Sequence, residues 1–432
     1  MLVSFFLRAR LFELHDFLRG QTRRSQTGSA CHCVSRRAWE QTVKPERKTF
    51  TASGRARRSS RSSDGLAEPL QQIDRTFVLH RGRRLSYFAG CDYFRLSSHL
   101  EVLRALREGL DRFGLNVAAS RKTTGNHALY GQLEQKLAEF FDVEAAVLVS
   151  NGYMTNLAVA QALAGEFTHA LIDERAHGSL FDAAKLLDCP VLPFKHRDPA
   201  SAENAARPAG RKAKIVLLTD GLFSHSGEVA PLDQYLRLLP TSATLLVDDA
   251  HGVGTLGRTG RGTAEFLGVP GRRLIRTITL SKAFGGYGGA VIGSRTVRKK
   301  IVARSRLFVG NTPLPLPLAA AALASLEILR RGPRLRRRLV FNTSYVKAAL
   351  REAGLPINDG PGPIIPFLPH NDREAARLTK KLLAAGIHPP FINYPGGPAD
   401  GYFRFAISSE HTPGQLDALV RVLASRKQER AS

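Results

Sequence analysis

The sequence predicts an α/β protein with a large, mostly parallel-sheet domain and a smaller C-terminal α+β domain. Three observations carry that expectation. Between about residues 145 and 292, short apolar runs alternate with helix-period segments. The runs are continuous and bounded by Gly, Asp or Ser, as buried strands of a mostly parallel sheet are. Two of them end in acids, histidine or lysine, at the edge where open α/β sheets bind ligands.

Residues 1–68 stand apart from the rest. They are Arg- and Ser-rich and poor in acids, with an amphipathic start over Phe5–Leu18 and a Ser59-Ser60-Arg61-Ser62-Ser63 cluster near the end. The expectation is a basic, disordered extension, either transit-like or the product of an over-long start. A large α/β domain is expected over 69–310. It contains a helix over Gln132–Phe141, with Leu133, Leu137 and Phe140 on one face, leading into a strand over Ala145–Ser150. Further strands are expected at Ala170–Asp173, Ile215–Thr219, Thr244–Val247, Thr277–Leu280 and Ala290–Ile292. A small α+β domain is expected over 311–432, opening on a helix at Leu316–Arg330 and closing on one at Pro413–Ser425.

At 432 residues and 43% hydrophobic content the chain can bury a large core. No run approaches the roughly 20 apolar residues of a membrane helix, and the richest, Leu314–Leu329, is broken by Pro and Glu. The formal charge of +26 raises the question of nucleic acid, but residues 1–65 alone hold 14 Lys or Arg against 5 Asp or Glu. The densest later run, Arg334 to Arg338, has no interleaved aromatics to stack bases, so solvated surface is expected ahead of an anionic-ligand face, and that ahead of nucleic acid. Four cysteines make no disulfide framework, and Cys31-His32-Cys33 lacks zinc-knuckle spacing, so no metal is expected and a reducing cytoplasm fits.

Two segments carry chemistry. Leu245-Leu246-Val247 delivers Asp248, Asp249 and His251 at a strand end, more than a helix cap would need. Thr277-Ile278-Thr279-Leu280 runs into Ser281-Lys282 and then a glycine-rich stretch to Gly289. A lysine buried at a strand end loses its proton more easily, and the flanking hydroxyls and glycines suit an anionic ligand. Lysine and acid together are what an electron-sink cofactor requires: one for the Schiff base, one for the pyridine nitrogen.

With these residues in place, the chain resembles the α-oxoamine synthases, fold-type-I pyridoxal-phosphate (PLP) transferases that include 8-amino-7-oxononanoate synthase and glycine C-acetyltransferase. The resemblance runs from about Leu85 to Val422 through pieces in family order: Asp92-Tyr93, Thr124-Gly125-Asn126, Ser150 to Asn156, Asp173 to Leu180, Gly221 to Leu232, Val247 to Gly252, Thr279 to Gly289 and Arg404 to Thr412. It implies Lys282 as Schiff-base lysine, Asp248 at the pyridine nitrogen, and His251 and Ser224 near the ring hydroxyl. It further implies Gly152, Tyr153 and Thr279 at the phosphate, His177 stacked on the ring, and Arg404 on the substrate carboxylate. A homodimer is implied too, with Thr312 reaching the partner's cofactor phosphate.

The implied activity is condensation of an amino acid with an acyl thioester, an acyl-CoA, with loss of carbon dioxide to give an α-amino ketone. Biotin-pathway 8-amino-7-oxononanoate synthase, using alanine and a pimeloyl thioester, is the particular activity expected. Cofactor residues alone leave an aminotransferase on the same fold open. Two places depart from the family pattern, both on the substrate side: Cys91 stands where the family has asparagine, and Phe391 to Pro398 replaces a compact proline-valine-proline approach to Arg404.

Overall fold

The computed structural model describes residues 67–425 except Arg211, 394–396 and Ala399. The basic extension expected over 1–68 therefore lies outside the described residues, but for Ala67 and Glu68, and so do Tyr394, Pro395 and Gly396 of the segment before Arg404. From Glu68 onward the chain forms one compact unit.

Thirteen strands are present among the described residues, numbered here in chain order. The first three, β1 (Gln71–Gln72), β2 (Phe77–His80) and β3 (Arg83–Ser86), make a small antiparallel sheet. The next seven are β4 (Ala145–Val149), β5 (His169–Asp173), β6 (Val191–Phe194), β7 (Ile215–Asp220), β8 (Thr244–Asp248), β9 (Leu274–Thr279) and β10 (Gly289–Gly293). They form the central sheet in the order β4-β10-β9-β8-β7-β5-β6. The pairs from β9 through β6 are parallel.

β10 alone runs against both its neighbours. The sequence reading did not separate Ala290–Ile292 from the parallel strands, yet the reason is local. The link Leu280–Gly288 is too short for a crossover helix, so the chain has to turn back beside β9.

Every residue of β7 and β9 is buried, as expected of strands covered on both faces. Alternate side chains feed opposite layers. Leu217, Leu245 and Val247 pack with Phe194, Ala202 and Tyr235 on one face, and Val147, Ile172, Leu218 and Leu246 with Ala158, Val159 and Leu180 on the other. Each such Leu or Val contributes on the order of 1.5–3 kcal/mol of burial. This double cover fixes the strand ends. Asp220 pairs with Asp248, and Asp248 with Thr277, in register. Gly289 faces both Thr279 and Val149, so the end of β4 arrives at the same edge.

The third sheet, β11 (Ile364–Phe367), β12 (Phe391–Ile392) and β13 (Tyr402–Ala406), is antiparallel in the order β11-β13-β12. Helices Pro333–Glu352, Asp372–Ala384 and Pro413–Ala424 share its core through Val346, Leu382 and Leu419. Phe88, just after β3, enters this same core, and the Ser86 N–H donates to the Gly386 carbonyl at 2.7 Å. The N-terminal strands thus lean on the packing around the third sheet.

The helix expected at Leu316–Arg330 spans Leu316–Arg331, entered through Pro315 and stopped at Gly332. The last one spans Pro413–Ala424 and opens with a reciprocal Thr412/Gln415 capping box. The helix expected from Gln132 begins earlier, at Ala128, because the His127 side chain caps the Leu129 N–H. Among the described residues no helix is long and apolar enough to cross a membrane.

Candidate active site

A cavity of about 430 Å³ opens at the strand edge just described. It is lined by Gly152, Tyr153, His177, Ser224, Asp248, His251, Thr279, Lys282 and Arg404, that is, by every site residue expected from sequence except Thr312. Thr312 lies instead beside Arg121, Tyr130 and Asn311, in a separate small hollow.

Two adjacent acids end β8, and strand alternation sends them to different places. Asp248 faces the cavity. Its Oδ2 accepts from Asn156 Nδ2 at 2.6 Å and its Oδ1 from the Ala250 N–H at 3.1 Å. Asp249 turns away and holds the following loop, accepting from Thr263 Oγ1 at 2.6 Å and the Thr263 N–H at 3.0 Å. A Cβ on Gly221, Gly252 or Gly262 would collide with that carboxylate, which is why glycines surround it. Burial raises the Asp249 pKa to about 6, against the pull of Arg276 and Thr263.

Asn156 was missed by the sequence reading as a site residue. It sits fully buried on the Gly152–Ala162 helix and also donates to Ser179 Oγ at 2.8 Å, while its Oδ1 accepts from Thr277 Oγ1 at 2.6 Å. Asp220 was missed too. It accepts from the His177 N–H at 2.8 Å, and burial beside Asp248 raises its pKa well above the ordinary carboxylate range. The signal for Asp220 was available, since it is the acid that ends its strand. Asn156 had only its place in the quoted Ser150–Asn156 motif.

Lys282 Nζ lies 2.6 Å from His251 Nε2, and His251 Nδ1 lies 2.6 Å from Tyr93 Oη. Burial lowers the pKa of both Lys282 and His251, and Lys282 depresses His251 further. A neutral His251 accepting from Lys282 on Nε2 carries its proton on Nδ1 and donates it to Tyr93. His177 Nδ1 meets Ser179 Oγ at 2.8 Å, and its ring stands edge-on to Tyr153 at 6.0 Å. Burial lowers its pKa, as does Lys282, while Asp248 opposes.

Arg404, on β13, reaches the cavity from the three-stranded C-terminal sheet. Its Nε donates to the Ser224 carbonyl at 2.6 Å and its Nη2 to Cys91 Sγ at 3.3 Å. Ser224 therefore contributes its backbone to holding the arginine.

These residues fit a pyridoxal phosphate. The first-turn N–H groups of the Gly152–Ala162 helix lack intrahelical acceptors and favour an anion. A Cβ on Gly152 would sit 2.8 Å from Thr279 Cβ, so glycine there keeps helix and hydroxyl close enough to share one phosphate. Asp248 supplies the acid, Lys282 the amine, and the cavity the room.

Fold and site define a pyridoxal-phosphate transferase of fold type I, and the chain belongs to the class I and II aminotransferase family, whose model matches residues 91–423. Its relatives place it with the α-oxoamine synthases of that family. It is 35% identical to 8-amino-7-oxononanoate synthase of Thioalkalivibrio sulfidiphilus, over 85% of this chain and 92% of that protein. Among solved structures it is similar to 8-amino-7-oxononanoate synthase from Francisella tularensis, with a TM-score of 0.70 and 26% identity, over 81% of this chain and 99% of the other. A structure of SPT with PLP superposes with a TM-score of 0.78 at 25% identity, over 83% of this chain and 91% of that one.

Proposed function

We propose that this protein condenses an α-amino acid with an acyl thioester, releasing carbon dioxide and thiol and yielding an α-amino ketone, as an 8-amino-7-oxononanoate synthase. The observation that carries this reading is the meeting of Arg404, Lys282 and Asp248 in one cavity, a carboxylate clamp, a base and an acid, in a chain whose relatives bear that name. Pyridoxal phosphate supplies the carbonyl that takes the amine and the ring that accepts the electron pair from Cα.

The protein's residues do the rest. Gly152, Tyr153 and Thr279 hold the phosphate. Asp248, kept in place by Asn156, would keep the ring nitrogen protonated. Arg404 receives the amino acid's carboxylate with a planar fork of donors. Lys282, the amine that would bond the cofactor, would also take the Cα proton, for which its burial-lowered pKa suits it. His177, at the cavity wall, covers the ring and orients the thioester carbonyl. His251 and Ser224 border the ring hydroxyl. The same proposal includes a homodimer, with Thr312 serving the partner's cofactor phosphate, an amino acid and an acyl-CoA as substrates, a division between domains near residue 310, and a cytoplasmic location.

The test is product analysis. Alanine, serine or glycine alone should give no net conversion, and adding an acyl thioester should release thiol and carbon dioxide together. Stoichiometric pyridoxamine phosphate from the amino acid alone, with no thiol from any donor, would make the protein an aminotransferase instead.

A further inference from the structure

Cys91 is half-buried and lines the same cavity, on the short stretch between β3 and the Leu100–Phe113 helix. Its sulfur meets three neighbours at once. Arg404 Nη2 donates to it at 3.3 Å, and Tyr93 and Lys282 bear on it electrostatically. Tyr87 and Arg95 also interact with its charge. A continuous polar chain results, from Lys282 through His251, Tyr93 and Cys91 to Arg404.

The arginine's donors are already divided. Nε is committed to the Ser224 carbonyl, which leaves the two terminal nitrogens for a two-pronged grip on a carboxylate. One of those two is the nitrogen that Cys91 holds.

We propose that Cys91 is a specificity-determining residue of the carboxylate subsite, an internal anion that occupies Arg404 until the substrate's carboxylate displaces it. The inference rests on the proposed reaction only in taking an amino acid as the ligand of Arg404. Burial by itself would raise the thiol's pKa, but Arg404 and Lys282 outweigh it and lower the pKa, which favours the thiolate more than in a free cysteine. A carboxylate gripped by both terminal nitrogens shares one of them with the sulfur, and two anions on one guanidinium nitrogen repel each other. Carboxylate binding therefore releases the sulfur from Arg404 and draws a proton onto it, and by reciprocity the ionised thiol weakens carboxylate binding. Amino-acid affinity in this protein should fall as pH rises through the thiol's titration.

Two measurements on the holoenzyme test this. In the first, iodoacetamide alkylates the protein and mass spectrometry follows each cysteine. The thiolate sulfur of Cys91 displaces iodide, forming a carbon–sulfur bond. Cys91 should react faster than Cys189, whose thiol pKa burial raises, and both alanine and propionate, a carboxylate without an amine, should slow it. Arg404→Gln should slow the reaction near neutral pH by raising the thiol pKa.

In the second, amino-acid dissociation constants are read from cofactor absorbance. Cys91→Ala and Cys91→Ser should each bind alanine about 3- to 10-fold more tightly above the thiol's pKa and converge on the parent below it, since the occluded fraction of Arg404 sets the loss. The same variants should lower the amino-acid KM far more than they change kcat. Alkylation of Cys91 that is indifferent to both carboxylates, or unchanged or weaker binding in both variants, would overturn the inference while leaving the proposed reaction intact. If no amino acid alters the absorbance and no ketone forms, the proposed reaction fails, and propionate protection together with Arg404→Gln still decides the fate of the Cys91–Arg404 pair.

Discussion

Replacing Asn156 with alanine removes three hydrogen bonds from a site without water access. The amide donates to Asp248 Oδ2 at 2.6 Å and Ser179 Oγ at 2.8 Å, and accepts from Thr277 Oγ1 at 2.6 Å, on a residue that is 0% exposed. The bond to the Asp248 carboxylate is worth about 1.5–3 kcal/mol and the two to hydroxyls about 1 kcal/mol each, a loss on the order of 4 kcal/mol. At about 2 cal/mol/K of unfolding entropy per residue over the compact unit, that lowers Tm by about 5 °C. Calorimetry of the cofactor-free protein measures this term with no contribution from ligand. The holoenzyme should lose more, because Asp248 without its amide donor is a poorer partner for a protonated ring nitrogen, so cofactor affinity falls as well. A Tm change under 1 °C in the cofactor-free protein would show that the network does not hold Asp248. Normal cofactor affinity despite a large Tm loss would separate Asn156 from the site and leave it a packing residue.

Two further outcomes follow from individual groups. Lys282→Ala should abolish the borohydride-reducible link between protein and cofactor, detected by mass spectrometry, and an adduct that persists would mean another lysine carries it. Asp249, raised to about 6 from its ordinary 3.8, binds its proton more tightly folded than unfolded, so its stabilising effect is complete below about 4 and is lost as pH climbs through about 6. The loss is on the order of 3 kcal/mol, and Asp249→Asn, which can still accept from the Thr263 N–H and donate to its Oγ1, should flatten the urea-unfolding free energy across that range. An unchanged slope would refute the assignment.

The cofactor edge was legible because strand ends are legible. An apolar run that stops in Asp or runs into Ser-Lys announces both the strand and the place it delivers, and Asp248, Thr279 and Lys282 all meet at that edge. Pattern alone left Asp248 and Asp249 alike, the resemblance chose Asp248, and pleat alternation supplies the physical reason once the register is known. The reversal of β10 was legible in principle from the short link before it. Asn156 was not, because a single polar residue in a helix pattern most often faces solvent, and only the packing of that helix over β9 buries it against Asp248. Arg404 was visible only by resemblance, since one arginine among many carries no pattern of its own, and the antiparallel β13 that presents it lies in a different sheet from the strand that leads to Lys282.

That division has a physical consequence for how such a site changes. The cofactor residues sit on consecutive strands whose ends are fixed by a core covered on both faces, so moving any of them means moving buried Leu and Val side chains. The substrate wall is assembled from Cys91, Ser224, Ile392, Tyr402 and Arg404, drawn from loops and from a separate three-stranded sheet. A substitution at Cys91 alters what Arg404 can grip without disturbing the register of Asp220, Asp248 and Thr277. Both departures from the family pattern fall on this wall, which is where the fold can accept a new side chain at least cost in stability and greatest effect on the choice of substrate.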